Sequence, residues 1–442
     1  MPLYPIFFVF VFIFGTVAAI FRGPIWGLLL YVFVYYNIPA FQWWGRYVPD
    51  LRWSFTTAGI LLVSCVIHSR QLASSKSSMN IPLKILILLL LLMTAIVPIS
   101  YDSEISGNRV YDFFRYVLMF YLVGRILTDF KQYQQYMLTI VICSTYLFWT
   151  AHSYFTGTRL DGVGLPDAND ANFFAILIIL IIPMMVAVAL TGKMWQRAIA
   201  LIGIPLAINA FAMTRSRGGF IGVLVQLIVV IILFRKSKHR KKIIAGIVCI
   251  VVLFGVLMDD QFKSRLLNLR DSVSEGESSG ASAGRVTIWK HGFNMARDYP
   301  FGAGGGAFMV LSPQYLPSER LSSTGQRASH NTYLLMLVEG GLIGLLLYLG
   351  FMFFIMAAAY KTLTIKNTAG GESEMQVLNL HVTMLIISLS GFWTASFFGD
   401  RIYFEGFYLI AALAPILLKI GRQVSSLQNI EGTTDSLSQN DR

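Results

Sequence analysis

Phe234-Arg235-Lys236-Ser237-Lys238-His239-Arg240-Lys241-Lys242 separates two apolar stretches, residues 218–234 and 243–258. Six of these nine residues are Lys or Arg. Short loops this basic stay on the cytoplasmic side of a membrane. The flanking stretches approach the length that spans a bilayer as a helix, about 20 residues. The chain is therefore expected to cross on both sides of the run, which places the far ends of both helices outside. One far end carries Thr214-Arg215-Ser216-Arg217-Gly218-Gly219. Beyond the other runs a long polar loop that contains Arg285, and His330 stands where the next apolar span begins. Arg217, Arg285 and His330 are thus expected on one face. Guanidinium groups gathered on the outer side, against the positive-inside rule, point to an anionic ligand.

The same reading extends along the chain. Hydrophobic residues make up 55% of it and charged residues 13%, with a mean hydropathy of +0.63, the composition of a membrane protein. Apolar stretches at 4–20, 24–38, 54–67, 82–99, 111–127, 134–153, 171–190, 197–213, 218–234, 243–258, 331–360, 376–398 and 402–420 predict an all-α polytopic fold. It has 12–13 transmembrane helices and one long periplasmic loop, 259–329. Counting outward from the basic run puts 68–84, 125–133, 191–197, 361–375 and the C-terminal tail inside. The outer segments 100–112, 154–170 and 397–405 carry most of the loop carboxylates. Thirteen crossings put the N-terminus outside, and twelve remain if an opening span is partial.

Four regions follow: N-terminal transmembrane helices (1–169), a core with the long loop (170–360), C-terminal helices (361–424) and a disordered cytoplasmic tail (425–442). Residues 39–53, with Trp43, Trp44, Tyr47 and Trp53, read as an aromatic belt at the interface. The first basic residue is Arg22, so the opening stretch lacks the charged start of a signal peptide and reads as a retained helix. Residues 271–284 are Ser/Gly-rich and expected to be flexible, whereas the stretch from Gly284 to Phe308 suits an amphipathic helix and a glycine turn packed back on the membrane domain.

The net charge of +12 sits in short inter-helix loops, where it sets topology and meets the headgroups of membrane lipids. Nucleic acid is not expected as a partner. Cys65, Cys143 and Cys249 each lie within an apolar stretch and read as small buried hydrophobes. No metal-ligand spacing appears, and no cofactor is expected. Asp167, Asn169 and Asp170, just before the span at 171, suit a helix cap or hydrogen bonds to sugar hydroxyls, as does Asn172.

Arg215 and Arg217 interrupt two apolar spans. Burying an arginine mid-membrane costs ~2.5–3.5 kcal/mol, whereas at a helix end it can snorkel to water. Snorkelling alone explains the arginines but not Gly218 and Gly219, which let a backbone or ligand approach closely. Arg285 has Trp289 four residues on, a spacing that also fits packing or cation–π contact. Two convergent arginines suit a diphosphate, because the planar guanidinium pairs bidentately with phosphate oxygens and can replace a divalent metal. His330 heads Asn331-Thr332-Tyr333-Leu334 at a helix N-terminus, where the dipole disfavours imidazolium and leaves a neutral ring able to take a proton. An ordinary interfacial histidine reads the same way. Glu339 is expected to be buried and to meet a polar group of another helix.

At these residues the chain resembles the O-antigen ligase and polymerase superfamily of bacterial envelope glycosyltransferases. The matching pieces are Ser216-Arg217-Gly218-Gly219-Phe220, Gly284-Arg285 with Trp289, Gly302-Ala303-Gly304, and His330-Asn331-Thr332-Tyr333-Leu334 leading to Glu339-Gly340-Gly341-Leu342-Ile343-Gly344. The N-terminal Arg22-Gly23-Pro24-Ile25-Trp26-Gly27 and Asn37-Ile38-Pro39 are similar to the exosortase-associated, ligase-like branch.

The resemblance implies a GT-C-like, metal-independent transferase in the bacterial inner membrane, with its active site facing the periplasm. The donor it implies is a polyprenyl-diphosphate-linked glycan, and the acceptor a glycan, lipid or protein of the envelope. Carried over by position, Arg217 and Arg285 hold the diphosphate with Arg215 as helper, and His330 activates the acceptor hydroxyl. Asp167, Asn169, Asn172, Asn331 and Tyr333 are candidate glycan contacts. A polymerase extending the glycan on its carrier would use the same residues. A transporter of the same lipid is disfavoured, because midplane charges and repeated halves are missing from the sequence.

Overall fold

The computed structural model describes residues 3–74, 80–165, 170–235, 240–257, 281–365 and 372–440. They form helices joined by short connections, with no strand among the described residues. Each apolar stretch of the sequence is occupied by a helix. In order these are α1 (Leu3–Arg22), α2 (Pro24–Tyr36), α3 (Trp53–Ile67), the short α4 (Ser69–Ser74), α5 (Ile81–Ile96), α6 (Ser103–Ile126) and α7 (Phe130–Ala151). Then follow α8 (Ala171–Thr191), α9 (Met194–Thr214), α10 (Arg217–Leu233) and α11 (Arg240–Leu257). The long loop contributes α12 (Ala281–Asp298) and α13 (Ala307–Tyr315). The chain ends with α14 (Thr332–Leu363), α15 (Glu372–Ala395), α16 (Glu405–Ala411) and α17 (Leu413–Asn440). Eight helical segments among the described residues are long and apolar enough to cross a membrane, and α3 and α10 are shorter apolar helices. The protein is a multi-pass membrane protein.

Helix α8 lies at the centre. Its sequence is apolar on every face, the pattern of a helix enclosed by others, and it packs on α9, α15, α10 and α7. Asp170 caps it by accepting from the Asn172 amide at 2.7 Å. Helix α14 packs on α5, α17 and α15. The amphipathic α12 lies back on α14, as the sequence suggested. Helix α17 continues to Asn440, through the stretch expected to be a disordered tail. Residues 422–440 contain no proline and a single glycine, Gly432, so little interrupts the helix begun in the membrane.

The glycine motifs are a docking device. Gly341 has φ +66° and breaks α14 about two and a half turns after its start at Thr332. Beside this break the turn after α12 supplies donors to two carbonyls of α14. Ala303 N donates to Val338 O at 2.8 Å and Gly304 N to Glu339 O at 3.1 Å. Gly302, at φ +99°, passes so close that a Cβ there would lie 2.6 Å from Glu339 O. The Glu339 side chain accepts from the Tyr403 hydroxyl at 2.8 Å, the polar partner on another segment that its burial required.

Gly302→Val should therefore separate the loop from α14. Strain at such a φ costs ~1–3 kcal/mol, before any clash is counted. Thermal unfolding of the purified protein should show a lower Tm, and an unchanged Tm would refute this docking.

Candidate cationic site

The two segments expected to face each other do meet. Ser216 caps α10 by accepting from the Gly219 amide at 3.2 Å, which sets Arg217 in the first turn. Gly218 and Gly219 are buried against neighbours: a Cβ on Gly218 would lie 2.5 Å from Phe398 Cβ, and one on Gly219 would lie 3.0 Å from Phe211. Close approach, the function read from these glycines, thus serves helix packing. Arg285 stands on α12, its guanidinium 5.8 Å from the ring centre of the same Phe398. Burial lowers the Arg285 pKa, and the charges of Arg217 and Arg159 lower it further. Asp170 acts in the opposite sense, and Arg327 adds to the lowering. Four arginines from α10, α12 and two loops therefore share one field.

His330 belongs to the same cluster. It precedes Asn331, the cap of α14, whose side chain accepts from the amides of Tyr333 at 3.0 Å and Leu334 at 3.1 Å. Burial lowers the imidazole pKa below its ordinary value. Asp400 opposes this, Arg285 and Arg327 reinforce it, and Asp170 opposes it again. The neutral ring expected from the helix dipole thus has a further cause in burial. Among the described non-glycine residues, His330 (φ +50°) and Arg215 (φ +48°) lie in the left-handed region. Such conformations persist where surroundings fix them, and they gather at functional sites. The His330 turn is fixed by three hydrogen bonds to two partners, Trp289 and Asp400. Trp289 Nε1 donates to Ser329 O at 3.2 Å. Ser329 Oγ donates to Asp400 Oδ1. Asn331 N donates to the same oxygen at 3.0 Å. The Arg285–Trp289 spacing therefore has Trp289 holding the histidine loop while Arg285 enters the cluster.

The remaining expected residues divide. Arg215 is engaged elsewhere: its guanidinium donates to Thr158 O and, at 3.0 Å, to Gly157 O, and it lies over Phe155. That position suits holding the 152–165 loop rather than contacting a phosphate. Asn172 Oδ1 accepts from Arg159 Nη2 at 3.1 Å and Ser216 Oγ at 2.8 Å, so it organises the arginines. Tyr333 donates its hydroxyl to Trp393 O at 2.8 Å, and its ring centre lies 4.3 Å from that of Phe397 at a tilt of 43°. Asp167 and Asn169 lie outside the described residues. Asp170 serves as the helix cap anticipated for this acidic group.

Sequence reasoning missed Arg159, Arg327, Asp400 and Arg401. Arg159 Nε also donates to Thr214 O at 3.2 Å, tying its loop to the end of α9. Arg401 is fully buried, its guanidinium 3.3 Å from the Phe173 ring centre. Burial brings its pKa down to about 10, against the pull of Asp400 and Asp170. The Nε atoms of Arg327 and Arg401 are buried without a hydrogen-bond partner among the described residues. In the sequence the outer segment 397–405 stands out only for its carboxylates, and a Gly-Asp-Arg sequence in a short connection has no spacing relation to His330. Among the described residues no three His, Cys, Asp or Glu side chains are grouped as metal ligands would be.

A half-buried cluster of arginines around a neutral histidine can bind a multiply charged anion beside a proton acceptor. Residues 202–349 match the family model described as O-antigen ligase. The matched stretch covers about a third of the chain, from α9 into α14, and contains Arg215, Arg217, Arg285, Arg327 and His330. It supports an O-antigen ligase or polymerase type of function, in agreement with the resemblance seen in the sequence. Arg159, Asp170, Asp400 and Arg401 lie outside it. No curated protein matches the chain.

The reactivity of His330 toward diethyl pyrocarbonate reports the neutral ring and can be followed against pH. Asp400 holds the His330 pKa up, so Asp400→Asn should move the midpoint to lower pH. Arg285 holds it down, so Arg285→Ala should move the midpoint to higher pH. Midpoints moving in one direction, or not moving, would contradict the electrostatic account.

Proposed function

We propose that this protein transfers a glycan from a polyprenyl-diphosphate carrier to an acceptor of the cell envelope, on the periplasmic face of the inner membrane. The observation that carries the proposal is the convergence of Arg217 and Arg285 with His330 in one field. Crowded guanidinium groups repel one another, and a diphosphate relieves that repulsion through charge-assisted, bidentate hydrogen bonds. The orphaned donor of Arg327 adds a further group able to meet an anion.

In this reading the acceptor oxygen attacks the anomeric carbon, forming the new glycosidic bond. The bond from that carbon to the diphosphate oxygen breaks, and the electron pair leaves with the diphosphate. His330 takes the acceptor proton, and a single displacement inverts the configuration. Fixed positive charge aimed at the leaving diphosphate is often the largest catalytic contribution, and a general base typically adds ~10²–10⁴-fold. Arg217 and Arg285 hold the diphosphate and supply the charge a divalent metal gives elsewhere. Arg215 and Asn172 support them through the 152–165 loop, with Asp167 and Asn169 beside the glycan. Asn331 and Tyr333 position the His330 turn. Ligation to an envelope acceptor and polymerisation on the carrier share these steps, and they differ in product: a capped acceptor or a ladder.

Arg217→Ala or Arg285→Ala should reduce kcat/KM by roughly 10–150-fold, the loss of one charge-assisted contact. Lysine at either position should recover part of this, since it keeps charge but not the bidentate fork. Transfer should survive a chelator; strict dependence on added divalent metal would remove the arginines from this role. His330→Gln should abolish transfer while donor binding stays near normal, and near-normal turnover would move the base elsewhere.

The face is tested separately. Reporter fusions at residues 238 and 277 should report opposite sides of the membrane, following the Lys/Arg asymmetry. The same side at both positions would overturn the periplasmic assignment.

A further inference from the structure

Away from the family-matched stretch, α1, α2 and α7 enclose a cavity of about 490 Å³. Helix α1 packs on α2 and α3, and α2 packs on α7, so α2 forms the floor of a gap between α1 and α7. At one end Gly15 lets α1 approach α2: a Cβ there would lie 2.8 Å from Leu30 Cδ1. At the other end the ring of Tyr4 reaches across to Trp43 at 5.7 Å, Tyr146 at 5.8 Å and Trp149 at 6.4 Å. From Tyr4 to Gly15 the helix rises ~16 Å, about half of the ~30 Å hydrocarbon thickness. The cavity therefore spans one leaflet.

Its chemistry is that of a hydrocarbon site. Most of the wall is Phe, Leu, Ile, Val and Trp side chains, with Tyr4, Tyr146, Thr139, Cys143 and Asn37 among them. Asn37 Nδ2 is used by Phe33 O at 2.9 Å, and Trp44 Nε1 by the Tyr146 hydroxyl at 3.3 Å. These lining donors are satisfied internally, so recognition rests on shape and apolar contact. The volume is in the range of pockets that bury a sizeable ligand, ~300–1,000 Å³.

The aromatic end is tied to the cationic site. Gln42 Nε2 donates to Gly164 O at 3.1 Å, and Tyr154 OH donates to Phe41 O at 3.3 Å. Gly164 lies in the loop whose Arg159 reaches Thr214 and Asn172 and whose Gly157 and Thr158 carbonyls receive Arg215. The segment around Trp44, which lines the cavity, is thus bonded to the loop that feeds the arginine cluster. We propose that the cavity holds the polyprenyl tail of the diphosphate donor, a claim that rests on the function proposed above. A lipid whose diphosphate meets the arginines must lower its chain into this leaflet, and the aromatic end of the cavity is hydrogen-bonded to the loop that carries Arg159. A bulk phospholipid could fill an apolar gap as well, but its headgroup chemistry has no relation to that cluster.

The test uses the full-length protein in nanodiscs and a sugar-free polyprenyl diphosphate with a diazirine in its tail. Photolabelling should fall on α1, α2 and α7, and unlabelled polyprenyl diphosphate should compete where equal phosphatidylglycerol does not. Val11→Trp and Ile142→Trp fill the gap from half-buried or exposed positions on its walls. Each should lower labelling by roughly tenfold, the scale on which an apolar pocket rejects a misfit, with Tm unchanged. Labelling elsewhere, equal competition by the phospholipid, or no effect of either tryptophan would overturn the tail site. Normal labelling in a protein that transfers no glycan would instead retain the tail site and sink the proposed reaction.

Discussion

Arginines brought together in a half-buried place repel one another, and the site is organised around that constraint. Arg217, Arg285, Arg159 and Arg327 come from four separate segments, and each adds to a field that Asp170 and Asp400 offset only in part. Maintaining such a field requires that helix ends and loops be fixed by other contacts. Those contacts are present: Ser216 caps α10, Asn331 caps α14, Asn172 receives Arg159 and Ser216, and Asp400 receives the Ser329–Asn331 turn. The same positive field lowers the affinity of His330 for a proton. One arrangement therefore favours an anion and keeps the neighbouring base neutral.

Backbone geometry does much of this positioning. Positive φ at Arg215 ends α9 sharply, so that Ser216 can start α10 one residue later. Positive φ at His330 turns the chain before the cap of α14. The Gly341 break then lets the 302–306 turn lie against α14, which joins the loop bearing Arg285 to the helix headed by His330. A shift of that turn would move Arg285 relative to His330, so glycines without side-chain chemistry set the spacing of the charged groups.

The helical path was readable because apolar length and loop charge are local properties. Each apolar stretch became a helix, and the amphipathic character after Gly284 correctly announced a loop packed back on the bundle. Arg217, Arg285 and His330 were readable as a group because parity places them on one face. The partners from other loops were not. Asp400 lies 71 residues from Ser329 and more than a hundred from Arg285, and only packing of α14 against α15 brings it in. Arg159 sits in an irregular loop with no period to mark it. Asn331 and Tyr333 read as candidate glycan contacts, and the cap of α14 and the bond to Trp393 O give their polar atoms structural partners that no local pattern announces. Arg215 and Arg217, two residues apart, already differ in direction by helical spacing, and the left-handed turn at Arg215 separates them further.

The central claim is that a diphosphate lies between Arg217 and Arg285, next to His330. A cryo-electron microscopy structure of the protein in nanodiscs, with sugar-free polyprenyl diphosphate and a chelator present, tests it most directly. The account predicts both phosphates within hydrogen-bond distance of the two guanidinium groups, with the His330 ring facing the side where an anomeric carbon would sit. Diphosphate density bound elsewhere, or bound without contact to either arginine, would contradict it.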